Sequence, residues 1–140
     1  MIDHFTGPNR FLSNFYPAQV EFDGYLYPTV EHAFQAAKTL NPEVREEIRL
    51  AETPSEAKKL GRLLDLRPDW EEVKLDVMHS LLFEKFSIPF LRKRLLETGD
   101  RTLVEGNTWG DTYWGVHRTQ GENHLGRLLM QVREELRDGA

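Results

Sequence analysis

The sequence predicts an α+β fold, a mainly helical single domain with a small N-terminal hairpin and short strands. Three observations carry this. Apolar residues recur at helical spacing, as in Val73, Val77 and Leu81 and again from Leu125 to Leu136. Cap residues and prolines divide the long stretch after Thr29 into separate helices. Strand-type residues around a glycine turn occur near the start and again only briefly at 102–105. Strands and helices do not alternate regularly enough for a doubly wound sheet.

Taken in order, Phe11-Leu12-Ser13-Asn14-Phe15-Tyr16-Pro17 reads as extended and turn-rich, leading into Val20, Phe22, Tyr25 and Tyr27 around Asp23-Gly24, a hairpin signal. Thr29 is placed to cap a helix from about Val30 to Leu40, ended by Asn41-Pro42 because proline disfavours helix in the residue before it. A second helix is expected from Pro42 to Ala51. Thr53-Pro54-Ser55-Glu56 then combines a capping box with proline at the first helical position and opens a third, to about Leu64. Asp69 repeats the capping logic for a fourth helix, from Trp70 to about Lys85. A fifth is expected over Ile88 to Leu96, a short strand over Thr102 to Glu105, and a last helix capped by Asn123, with Leu125, Leu128, Leu129, Val132 and Leu136 on its buried face. The ends, Met1 and Arg137 to Ala140, are expected to fray.

The chain has 140 residues, 39% apolar and 29% charged, which suits one globular domain over 1–140. No apolar run approaches the roughly 20 residues of a membrane span, and Met1 to Tyr16 lacks a basic start followed by an apolar stretch, so a soluble, cytoplasmic protein with no membrane partner is expected. With no cysteine, thiolate chemistry and sulfur-ligated zinc are excluded. The net charge of −5 argues against nonspecific nucleic-acid binding, which depends on many Lys and Arg contacts to phosphate. The five histidines form no ligand pair at the usual spacings, so neither a metal nor another cofactor is expected.

Between 107 and 127 lie Asn107, Trp109, Asp111, Tyr113, Trp114, His117, Arg118, Asn123 and His124, punctuated by glycines from Gly106 to Gly126. Glycines let a backbone turn tightly and approach a ligand, and aromatic rings offer flat faces to a base, so this run reads as a binding site. A second constellation lies on the first helix, where Glu31, Phe34, Gln35 and Lys38 share one face. Taken alone, that stripe reads as a half-exposed helix with solvated charges. Arg10, Ser13, Asn14 and Phe15 precede it by a single hairpin and are expected to converge with it.

Four separated motifs resemble the NADAR (YbiA-like) family: Phe11-Leu12-Ser13-Asn14-Phe15-Tyr16-Pro17; Tyr27-Pro28-Thr29-Val30-Glu31-His32-Ala33-Phe34-Gln35-Ala36-Ala37-Lys38; Asp111-Thr112-Tyr113-Trp114-Gly115; and Gly121 to Met130. The resemblance implies hydrolysis of an N-glycosidic bond between ribose and a base-like nitrogen. Two substrates are implied: ADP-ribose linked to guanine, as a nucleotide or on nucleic acid, and phosphorylated ribosylamino-pyrimidine intermediates of riboflavin biosynthesis. Cleavage develops positive charge on the sugar, which a carboxylate stabilises, and the family's motif gives that role to Glu31. Asp111 is the second carboxylate, set against a turn aspartate that bonds its own backbone. Trp114 and Trp70 are candidates to stack on the base, Trp70 also suiting a core. Phe15 is split between pocket wall and core. Asn123 is a cap whose helix N-terminus, with Gly121 and Gly126 near, can offer N–H groups to phosphate or ribose. Arg10, Lys38 and Arg118 are the candidate phosphate cations. Where many relatives are glycine-rich, the segment Val116-His117-Arg118-Thr119-Gln120 is bulkier and cationic, which suits a diphosphate. The alternative class is a nucleotide or ADP-ribose binding module without turnover.

Overall fold

The computed structural model describes residues 1–139, and Ala140, in the stretch expected to fray, lies outside them. Arg137, in the same stretch, is tied down, donating to the Gly99 carbonyl at 2.8 Å and pairing with Asp100 at 3.0 Å. The architecture is the expected mainly helical one with a two-stranded antiparallel sheet. Its chain forms two compact units, one running from Asn14 to Lys85 and the other built from Met1–Ser13 together with the chain from Phe86 onward.

In the unit from Asn14 to Lys85, β1 (Val20–Phe22) and β2 (Tyr25–Tyr27) pair with Val20 opposite Tyr27. Asp23 and Gly24 both take positive φ, 48° and 87°, the backbone that a two-residue hairpin requires. Helix α1 (Val30–Ala37) begins where the Thr29 hydroxyl accepts the His32 N–H, and it is buried along its whole length. It ends three residues before the expected Leu40. Asn41 caps α2 (Pro42–Arg49) and Thr53 caps α3 (Pro54–Arg62). Glu56 completes the α3 cap one residue earlier than a capping box would, accepting from the Glu52 N–H at 3.1 Å. Helices α2 and α3 pack on α1 and on each other. In α4 (Trp70–Phe86) Val73 and Val77 are half-buried, and the buried stripe is Met78, Leu81, Leu82 and Lys85. Asp69 does not repeat the side-chain cap, because its carboxylate is paired with Arg67 at 2.6 Å.

In the other unit the segment read as extended before Ser13 is instead a short 3-10 helix over Gly7–Leu12, with Pro8 in its first turn and Phe11 and Leu12 buried. Arg94 of α5 (Pro89–Glu97) lies over the Phe11 ring at 4.1 Å and donates to the Pro8 carbonyl, which fixes this turn. Helix α6 (His124–Asp138) buries Leu125, Leu129, Val132 and Leu136 as expected, with Leu128 half-buried and Arg133 buried beside them. Arg133 donates to the Thr98 hydroxyl and the Arg101 carbonyl, closing the end of α5.

The strand expected over Thr102 to Glu105 is reduced to one bridge, Ile2 with Leu103. The reason is Asn123. Its side chain accepts from the Glu105 N–H and donates to the Leu103 carbonyl, both at 3.0 Å, taking the groups that a neighbouring strand would have bonded. The same residue therefore does not cap α6 with its side chain, although it stands at the N-cap position, at φ 55°.

Candidate functional site

Glu31 sits in the first turn of α1, where the helix dipole favours an anion, and it is only 7% exposed. This overturns the solvated-stripe reading of that face. Its backbone N–H donates to the Asn14 carbonyl at 3.1 Å, which ties Asn14, one of the four residues expected to converge with this helix, to the start of α1. Gln35, one helical turn on, donates Nε2 to Glu31 Oε1 at 2.8 Å. Two amide oxygens of the same unit, Asn14 Oδ1 and Gln35 Oε1, are buried with no hydrogen-bond partner among the described residues.

His32 is a structural hydrogen-bonder. Since the Ala51 carbonyl only accepts, His32 Nε2 carries the proton and donates to it at 3.0 Å, leaving Nδ1 to accept from the Thr29 hydroxyl at 2.8 Å. Burial holds its pKa below the usual range, consistent with a neutral ring. Lys38 is half-buried with its ammonium 5.8 Å from the centre of the Phe34 ring. Burial lowers its pKa, and the charge of Glu31 opposes that shift. Trp70, 5% exposed, packs its ring on Phe34 at 5.1 Å and so supports the Glu31 face as core. Phe15, in the same unit, is 38% exposed.

Sequence reasoning passed over Lys85, which is wholly buried in α4, its ammonium 5.6 Å from the centre of the Tyr16 ring. Burial pushes its pKa down to about 7. An amine partly neutral at that pH has the state needed by a general base or nucleophile. The signal was available: Val73, Val77 and Leu81 step by four residues, and the next step falls on Lys85.

The remaining candidates belong to the other unit. Arg10 is exposed at the end of the 3-10 helix, its carbonyl accepting the Ser13 N–H. Asp111 Oδ1 accepts from the N–H groups of Tyr113 and Trp114 at 3.1 and 2.9 Å, the turn role considered from sequence. Oδ2 makes no hydrogen bond to any described residue. Asn107, the first residue of the run read as a binding site, holds this loop like a paired peptide, accepting from the Asp111 N–H and donating to the Asp111 carbonyl and to Glu105 Oε2. Gly115 is required by close approach, because a Cβ there would stand 2.1 Å from the Glu105 carbonyl oxygen. Tyr113, Trp114 and His124 form one ring cluster, with Tyr113 4.9 Å from Trp114 and 4.5 Å from His124.

The N-terminus of α6 is not open to a phosphate in the way the sequence suggested. The N–H groups of Glu122, Asn123, His124 and Leu125 donate to the carbonyls of Thr112, Gly115, Tyr113 and Trp114. Arg118 stands at the exposed tip of a tight turn closed by His117 and Gln120, where Arg118 and Thr119 take φ of 51° and 67°. Its guanidinium makes no ion pair or hydrogen bond to any described residue.

These features define an α+β protein with a buried, amide-held carboxylate on one helix and a ring-lined polar loop elsewhere in the chain. It belongs to the NADAR family, since the model of the NADAR domain matches residues 3–137. Among its relatives is the N-glycosidase YbiA of Escherichia coli (strain K12), 44% identical over 128 residues that cover 89% of this chain and 79% of the relative. Another is the chloroplastic riboflavin biosynthesis protein PYRR of Zea mays, 41% identical over 143 residues. The match covers 89% of this chain but 23% of the maize protein. The NMR structure of E. coli YbiA superposes with a TM-score of 0.86 at 40% identity, covering 99% of this chain and 88% of that one.

Proposed function

We propose that this protein is a hydrolase that cleaves a ribosyl C–N bond, with Glu31 as the carboxylate facing the sugar. The observation that carries the reading is the placement of Glu31. It is 7% exposed in the first turn of α1, with one oxygen held by Gln35, in a family whose relatives include named N-glycosidases. A buried, oriented carboxylate stabilises the positive charge that grows on the ribose ring as the bond to nitrogen lengthens, and it orients or deprotonates the attacking water. Asp111 supports the reaction with its second oxygen, at the departing nitrogen, the ribose hydroxyls or the water. Trp114 offers a face to the base, and Lys38, Arg10 and Arg118 offer charge to phosphate.

The substrate is ADP-ribose linked to guanine, free or on nucleic acid, or a phosphorylated ribosylamino-pyrimidine. The exposed guanidinium of Arg118, without a protein partner among the described residues, favours the diphosphate of the first. Mass spectrometry of products from wild-type and Glu31→Gln protein tests this. Free ADP-ribose from the guanine adduct, made by wild type and lost in Glu31→Gln, is the expected result. Ribose 5-phosphate from the pyrimidine intermediate alone would move the assignment to the metabolic substrate. Ligand bound by wild type with no product from either would make the protein a binding module.

A further inference from the structure

Gly61 lies near the end of α3, buried and with ordinary helical backbone. A helix interior favours alanine over glycine, so local structure gives no reason for the residue. The reason is Gln35. A Cβ at position 61 would stand 1.9 Å from Gln35 Oε1, 2.7 Å from its Cδ and 3.1 Å from its Cβ. The carboxamide thus rests on the bare α-carbon of the neighbouring helix, with Oε1 buried against it and Nε2 turned to Glu31. The reverse orientation would set two acceptor oxygens against each other wherever Glu31 is ionised.

We infer that Gly61 and Gln35 are positioning residues for Glu31: the missing side chain of Gly61 seats the Gln35 carboxamide, and that carboxamide fixes one oxygen of the Glu31 carboxylate. The catalytic consequence rests on the glycosidase reading, whereas the geometric claim does not. In Gly61→Ala the atoms that collide first are the far end of a flexible side chain. The helices keep their packing while Gln35 swings away and its hydrogen bond to Glu31 is lost. Gln35→Met removes the donor at nearly constant length and gives a second route to the same loss.

Two measurements on the full chain test this together. The first is the NMR signal of the Gln35 side-chain amide, expected to be exchange-protected in wild type and unprotected in Gly61→Ala. The second is steady-state release of the sugar. Both Gly61→Ala and Gln35→Met are expected to lower kcat by about a hundredfold, as misplacement of a reacting group does. KM should stay within about twofold, and neither change should cost anything further in a Glu31→Gln background. A Gly61→Ala protein that keeps the protected amide overturns the inference, as does a Gln35→Met protein as active as wild type. If wild type releases sugar from neither substrate, the glycosidase reading fails, and the amide signal alone then decides whether Gly61 seats Gln35.

Discussion

Asp111 commits one carboxylate oxygen to the N–H groups of Tyr113 and Trp114, a role that an amide oxygen fills equally well. Asp111→Asn therefore separates structure from chemistry at a single atom. The turn should survive, leaving the unfolding free energy in urea denaturation changed by no more than about 0.5 kcal/mol. If the charge assists the reaction as proposed, kcat should fall about a hundredfold. Unchanged turnover would reduce Asp111 to a support for its loop. Glu31 and Asp111 were legible as candidates because their neighbours form dense motifs. Their settings were not, since the burial of Glu31 and the seating of Gln35 depend on α3, a helix more than twenty residues further along.

The helices show the same division between near and far. Thr29 and Thr53 cap α1 and α3 as read, because a cap bonds to N–H groups two or three residues away, and Asn41, read only as the end of the first helix, caps α2 in the same way. Asn123 has the same residue type and position, yet its side chain reaches back to residues 103 and 105. No local pattern reports a bond across that distance. The 3-10 helix over Gly7–Leu12 was missed for a similar reason, being held by Arg94. Exchange for glycine tests the Asn123 assignment. Asn41→Gly should cost only a few tenths of a kcal/mol, as for other caps. Asn123→Gly keeps a backbone that tolerates positive φ but leaves two backbone groups unpaired, and should cost about 1–3 kcal/mol. Equal, small losses in urea denaturation would return Asn123 to an ordinary cap position.

For the whole molecule, length and composition suggested one domain, and the family match runs across nearly the entire chain. The division into two units was not legible, because one of them joins the chain's beginning to its second half through pairings such as Ile2 with Leu103. Lys85, the last residue of the other unit, links that architecture to pH. Burial lowers its pKa from 10.5 to about 7, so between these values the unfolded chain binds a proton that the folded chain does not. Stability should therefore rise with pH through this window, and the burial penalty should be nearly complete below it. Lys85→Met, which removes the titrating group, is expected to flatten this rise between pH 7 and about 9 in urea denaturation. Parallel curves for the two proteins would show that the lysine keeps its proton in the fold.

The loop from Asn107 to Asn123 is braced by side chains that stand outside its tip. Asn107 closes it on Asp111, Asn123 ties its far end to residues 103 and 105, and the carbonyls of residues 112 to 115 dock on the first N–H groups of α6. The turn at His117 to Gln120 is anchored to this frame by the His117 ring, whose Nδ1 donates to the Asn107 carbonyl at 3.1 Å, while Arg118 and Thr119 at its tip contribute to none of these braces. Rim and frame are thus separable. The length and charge of the tip can therefore change on an unchanged mounting, without rebuilding what carries it.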